Sequence, residues 1–119
     1  MKKNFILVVL LATVFTGCYQ TSLYYWGNYS QSLYKYKKAP SDEALQDHMK
    51  SIEKIITQSV SYKKQVPPGI YSEYGYYLFL EGRYFEALQY FNLEIQNYPE
   101  SEKFVNFLIN EIPEDEEKE

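Results

Sequence analysis

"PGIYSEYGYYLFLEGRYFEALQYFNLEIQNYPES" (residues 68–101) is the stretch from which the fold of this chain can be read. It is dense in aromatic and aliphatic residues, and glycine and proline punctuate it at Pro68-Gly69, Gly82 and Pro99. Those residue types break regular structure because proline lacks an N–H and glycine tolerates left-handed backbone. Just upstream, Val66-Pro67-Pro68-Gly69 ends whatever helix precedes it. Two prolines and a glycine before a helix serve either as a rigid entry turn or as a recognition loop.

The stretch resembles a tetratricopeptide repeat, a pair of antiparallel helices about 34 residues long. With Pro68 as its first position, Gly75, Gly82, Tyr84, Ala87, Phe91 and Pro99 fall where the repeat prefers those residue types. The resemblance implies that Gly75 and Ala87 are small because two helices cross closely there. It also implies that Gly82-Arg83 forms the turn between helices, that Phe91 fills the space between them, and that Pro99 ends the second helix. Two positions depart from the repeat. Tyr74 stands in place of a leucine, and Glu94 stands where a small residue normally meets the next repeat. A carboxylate there must be exposed at an edge, or paired if it is buried.

The flanks read as further helices. Ser41 is a good N-cap with Asp42 and Glu43 behind it, and Leu45, Met49, Ile52, Ile55, Ile56 and Val60 give an apolar stripe to about residue 63. Before Pro40, the residues Leu23, Trp26, Tyr29, Leu33 and Tyr36 recur at helical spacing, interrupted by Gly27. That face either covers the helical core or lies against lipid or a partner. After Ser101, a candidate cap, Phe104, Val105, Phe107, Leu108 and Ile112 form the apolar side of a closing helix. The expectation is an all-α protein, a short tetratricopeptide-like stack of about four to five helices over residues 23–112. Solenoids usually need at least three repeats, so so short a stack is a miniature or relies on a partner.

The N-terminus carries a different signal. Lys2 and Lys3 precede an apolar run from Phe5 to Phe15, which at about 11 residues is too short for a membrane span of about 20. Small Thr16 and Gly17 then mark a cleavage point before Cys18, the single cysteine of the chain. Phe15-Thr16-Gly17-Cys18 resembles the bacterial lipobox, with Phe15 in place of the usual leucine. The resemblance implies a signal peptide over 1–17, a lipid on Cys18 and a tether over 18–22. Tyr19 follows where inner-membrane retention looks for aspartate, so by resemblance to that sorting rule the protein sits in the outer membrane and faces the periplasm. Two or three acyl chains make such attachment effectively stable, since each buried methylene contributes about 0.8 kcal/mol.

Charge excludes some functions. Without Lys2 and Lys3 the twelve basic residues become ten against sixteen acidic, a net charge of −6, and nucleic acid demands a basic face. Much of the acid lies in a tail after Pro113, expected to be solvated and disordered. Metal ligation has little to draw on, with one cysteine and one histidine thirty positions apart. His48, between Leu45 and Met49 with Ser41 and Ser51 nearby, reads as a helix-edge structural residue without a triad around it. Glu73 and Glu81, two turns apart, read as solvated positions rather than paired acids. No glycine-rich phosphate loop is present. The chain is expected not to be an enzyme, to need no cofactor beyond the lipid on Cys18, and to take no small-molecule substrate.

Binding remains. By resemblance to the repeat, the ligand-facing side of the first helix carries Gly69, Ser72, Tyr76, Phe79 and Leu80. Repeats that clamp a carboxylate use Asn and Lys there, whereas these residues form either core beneath the 41–63 helix or a hydrophobic groove for a partner's helix or strand. Trp26, with the tyrosines near it, is a further candidate, since it lies close to the tether where Trp and Tyr favour the headgroup zone. A closer resemblance covers roughly residues 23–109. The Trp26-Gly27 pair, the Glu53–Ile56 stretch, Pro67-Pro68-Gly69-Ile70-Tyr71, Gly75 and Pro99-Glu100-Ser101 are similar to a family of small bacterial lipoproteins of unknown function. Genes of that family often lie beside one for a lipoprotein similar to the curli secretion channel. The resemblance brings no activity with it, but the neighbouring gene suggests a complex. The leading expectation is an adaptor or assembly factor for an envelope complex, with that channel-like lipoprotein as the candidate partner. The alternative is a regulator that activates a periplasmic cell-wall enzyme.

Overall fold

Ser41 opens the longest helix in the way its side chain allows. Its Oγ accepts a hydrogen bond from the Ala44 N–H at 3.1 Å, with Asp42 and Glu43 in the first turn. The hydroxyl satisfies an orphan backbone donor, and the acids sit at the positive end of the helix dipole. The computed structural model describes Met1 and residues 22–113. Residues 2–21, on which the expected signal peptide (beyond Met1), Cys18 and most of the expected tether fall, and the tail from residue 114 lie outside the described residues. The described chain forms α1 (Tyr29–Lys38), α2 (Asp42–Ser61), α3 (Ile70–Leu80), α4 (Tyr84–Asn97), a 3₁₀ turn (Pro99–Ser101) and α5 (Glu102–Ile109). The protein is an all-α helical stack, and none of its described helices is long and apolar enough to cross a membrane. An isolated parallel bridge joins Tyr24 to Gln65, tying the leading segment to the loop after α2.

The hairpin of α3 and α4 is the centre of the stack. Pro67 is buried, and Gly69 takes a left-handed φ of 88° to start α3, a conformation a side chain resists. Gly82 does the same at φ 76° in the turn to α4. Contacts run antiparallel: Phe79 near the end of α3 meets Tyr84 at the start of α4, with ring centres 5.6 Å apart. Mid-helix the two approach so closely that a Cβ on Gly75 would stand 2.9 Å from the Phe91 ring and 3.1 Å from the Ala87 carbonyl oxygen. Ala87 and Phe91 are fully buried. Pro99 opens the 3₁₀ turn directly after α4. Ile52 and Ile55 of α2, Ile70 and Leu78 of α3, and Val105 of α5 complete the core. Each such side chain contributes about 1.5–3 kcal/mol on full burial.

Glu94, the departure in the second helix, is only 1% exposed. Its carboxylate accepts the Gly69 N–H at 2.7 Å and the Ser72 N–H at 3.2 Å. A glycine N-cap has no side chain to offer, so α4 supplies the cap that α3 lacks.

Four expectations are corrected. Helix α1 begins at Tyr29, not near Leu23, because Gly27 turns the chain at φ 49°, and Leu23 and Trp26 are left outside the helix and exposed. Val60 is exposed while Ser59 takes the inward position, since the buried positions His48, Ile52, Ile55 and Ser59 keep the three-and-four spacing of one helix face and Val60 falls beside it. On α5, Val105 faces inward and Ile112 is buried just beyond the helix end, but Phe104 and Phe107 are each 61% exposed. Ser101 makes no cap; its hydroxyl donates instead to the Tyr98 carbonyl at 2.7 Å within the 3₁₀ turn.

Candidate functional site

Three helices converge on Glu73. Tyr29 on α1 donates its phenol to Oε2 at 2.8 Å, and His48 on α2 meets Oε1 through Nε2 at 3.0 Å. The other ring nitrogen of His48, Nδ1, lies 2.8 Å from Ser32 Oγ on α1. The single hydroxyl hydrogen of Ser32 has two acceptors in range, Nδ1 and the Tyr29 carbonyl oxygen at 2.9 Å. Whichever takes it, Nε2–H points at the carboxylate, because an ionised Glu73 can only accept. Tyrosine rings enclose the imidazole: Tyr29 at 5.3 Å, Tyr77 edge-on at 5.9 Å and Tyr36 stacked at 6.4 Å between ring centres.

Burial by itself would raise the Glu73 carboxyl, but the hydrogen bonds from His48 and Tyr29 outweigh it and hold the group below its ordinary range. The Tyr29 and Tyr77 phenols are pushed up, first by burial and then by the neighbouring carboxylate. Both effects keep Glu73 charged and the phenols protonated at neutral pH, which is the state the hydrogen bonds require.

This cluster revises two readings of the sequence. His48 is fully buried rather than at a helix edge, and Glu73 is a shared acceptor rather than a solvated acid. Ser32, His48 and Glu73 do stand in line, an arrangement not expected from spacing. Neither Ser41 nor Ser51 joins them: Ser41 caps α2, and Ser51 donates to Asn28 Oδ1 at 2.9 Å. The order matches nucleophile, base and orienting acid. Ser32 is only 6% exposed and sits within α1, on the wall of a cleft between α1 and α2, and its hydroxyl hydrogen has the Tyr29 carbonyl within reach as well as the imidazole. The geometry is that of a buried polar tie holding α1 and α2 on α3, and a fully satisfied network of this kind specifies one packing. Glu81 pairs instead at the surface, with Gln46 and Arg83. Among the described residues no group of three or more His, Cys, Asp or Glu is placed to hold a metal ion.

Glu73 also lies at the edge of a groove of about 390 Å³ between α3 and α5, walled by Tyr76, Phe104 and Leu108. Of the expected binding residues, Tyr76 and Leu80 are exposed on the outer face of α3 and not covered by α2. Phe79 is half-buried, with its ring against Tyr84 and stacked on Tyr76 at 6.3 Å. Trp26 lies apart from the groove, 43% exposed, with its ring 5.5 Å from Tyr29. Phe104 escaped the sequence reading as a surface residue because helical periodicity alone placed it with Val105 on the packed side.

Fold and site define a small helical stack with an apolar groove and a buried polar tie. The chain belongs to the family described as Domain of unknown function (DUF4810), which matches residues 23–108. No curated protein and no solved structure matches the chain.

Proposed function

We propose that this chain is an outer-membrane lipoprotein, held by acyl chains on Cys18, that acts without chemistry of its own as an adaptor for an envelope protein complex. The α3–α5 groove receives an apolar helix or strand of a partner protein. The observation that carries this reading is the exposure of Tyr76 and Phe104 on the walls of the groove, with Leu80 and Phe107 also exposed one turn further along the same two helices, large apolar side chains that a free surface does not require. The tetratricopeptide-like register of α3 and α4 supports it, because that repeat presents its first helix to ligands. The resemblance to lipoproteins encoded beside a curli-channel-like lipoprotein makes the latter the favoured partner.

The test is a pull-down from detergent-solubilised envelopes with the wild-type chain and with Tyr76→Ser/Phe104→Ser, both substitutions lying at exposed positions. Recovery of a channel-like lipoprotein by the wild type and its loss with the double variant supports the adaptor. Recovery of a cell-wall synthase instead points to the regulatory alternative, and equal recovery by both chains removes the groove from the proposal. Anchoring is tested separately. Cys18→Ala is expected to leave the membrane fraction, and its retention in outer membranes after a salt wash would overturn the lipid anchor.

A further inference from the structure

A second cleft, of about 630 Å³, lies between α1 with the segment entering it and the middle of α2. Its character is opposite to that of the apolar groove. Lys35, Lys50 and Lys54 line it with Asp47 as the one acid, in a chain whose net charge is −4. Lys35 is matched by Asp47 at 2.7 Å. Lys50 and Lys54 make no ion pair among the described residues, and they stand one turn apart on α2, where like charges repel. An anion between them would relieve that repulsion.

The wall beside the two lysines supplies hydrogen bonding. Ser51 is buried, and its hydroxyl is committed to Asn28 Oδ1 at 2.9 Å. That bond orients the Asn28 amide so that its two N–H donors remain for a ligand, on a residue that lines the cleft. Tyr25 lines the same cleft. Two ammonium groups and an amide donor lining one cleft suit a tetrahedral oxyanion, whose several oxygens can be shared among them.

We propose that this cleft binds a phosphate-bearing anion, with Lys50 and Lys54 as the charge partners and Asn28 as the hydrogen-bond donor. Two sources carry that chemistry: the headgroup of an anionic phospholipid, or a free phosphate or phosphate ester. Tyr25 follows Cys18 by seven residues, so the cleft lies within about 23 Å of the lipid attachment at roughly 3.3 Å per residue. That places headgroups within reach, and only this choice of source rests on the lipid-anchor reading; the binding itself does not.

The experiment uses the mature chain, residues 18–119, with Cys18→Ser so that no acyl chain drives association. Amide chemical shifts are followed as inorganic phosphate is added. In a parallel arm, sedimentation is followed with vesicles of phosphatidylcholine alone or of phosphatidylcholine with phosphatidylglycerol. The expected result is a saturable, salt-sensitive response at Asn28, Ser51 and Lys54 or selective sedimentation with the anionic vesicles. Lys50→Ala/Lys54→Ala should weaken either by about tenfold, while Lys103→Ala on α5 leaves them unchanged. A response in the phosphate arm identifies a free anion as sufficient, and one confined to the anionic vesicles identifies the headgroup. Silence in both arms overturns the proposal, as does a response that Lys50→Ala/Lys54→Ala does not reduce. Loss of the envelope partner or of membrane anchoring would leave these measurements untouched, so the two proposals fail independently.

Discussion

Glu94 on α4 caps α3: its Oε1 accepts the Gly69 N–H at 2.7 Å across the hairpin. Ser72 contributes a second N–H to the same carboxylate. Removing Glu94 would take the acceptor from two donors, the Ser72 N–H in a buried setting and the Gly69 N–H in a part-buried one. Leaving such groups unsatisfied costs about 1–3 kcal/mol each. Glu94→Ala is therefore expected to destabilise the chain by about 3 kcal/mol in urea denaturation, with Glu94→Gln in between because it keeps one acceptor. An unchanged midpoint for Glu94→Ala would show that the cap contributes nothing.

The opposite sign is expected at Ser59. Its Oγ is buried with no hydrogen-bond partner, on the same inward face of α2 as Ile52 and Ile55. Ser59→Ala removes an unsatisfied hydroxyl and improves helix propensity, so stability should rise by about 1 kcal/mol. A lower melting temperature for Ser59→Ala would contradict this.

Glu73 predicts a pH dependence. Its carboxyl is lowered in the folded chain from an ordinary value of 4.5. A lowered acid contributes stability that is present above 4.5 and is lost as pH falls through the folded value. Wild-type stability should thus decline as pH drops below about 4.5, by the part due to Glu73, and Glu73→Gln should show a shallower decline from a lower starting stability. Parallel pH profiles for the two chains would mean that the Tyr29–His48–Glu73 tie carries no net proton linkage.

The crossing of α3 and α4 leaves no space at Ala87, which is fully buried beside the close approach of Gly75 to Phe91. Overpacking at such a point costs about 1–3 kcal/mol. Ala87→Leu should lower the melting temperature by several degrees, whereas Lys50→Ala, at an exposed position, should barely move it. Equal shifts for the two variants would argue against the crossing.

Much of this architecture was legible in the residues themselves. Ser41 with Asp42 and Glu43 announced the start of α2, Pro67-Pro68-Gly69 its separation from α3, and Gly82 and Pro99 the ends of the hairpin helices. Gly75 and Ala87 marked the crossing. These signals are local, since capping, left-handed backbone and missing N–H groups act within a few residues of their cause. The requirement that a buried Glu94 be paired was equally plain, though the identity of its partners was not.

What only the tertiary structure decided is which helix lies opposite each face. His48 is buried because α1 folds back over α2 and Glu73 arrives from α3, and its partners stand 16 and 25 residues away. Tyr29 reaches Glu73 across 44 residues. Leu23, Trp26 and Phe104 share the apolar character of the core yet remain outside it, because the neighbouring helices do not extend over them. Periodicity determines which side chains share a face. Whether that face meets another helix, a polar partner or solvent depends on contacts between elements distant in sequence, and those arise only when the whole chain packs.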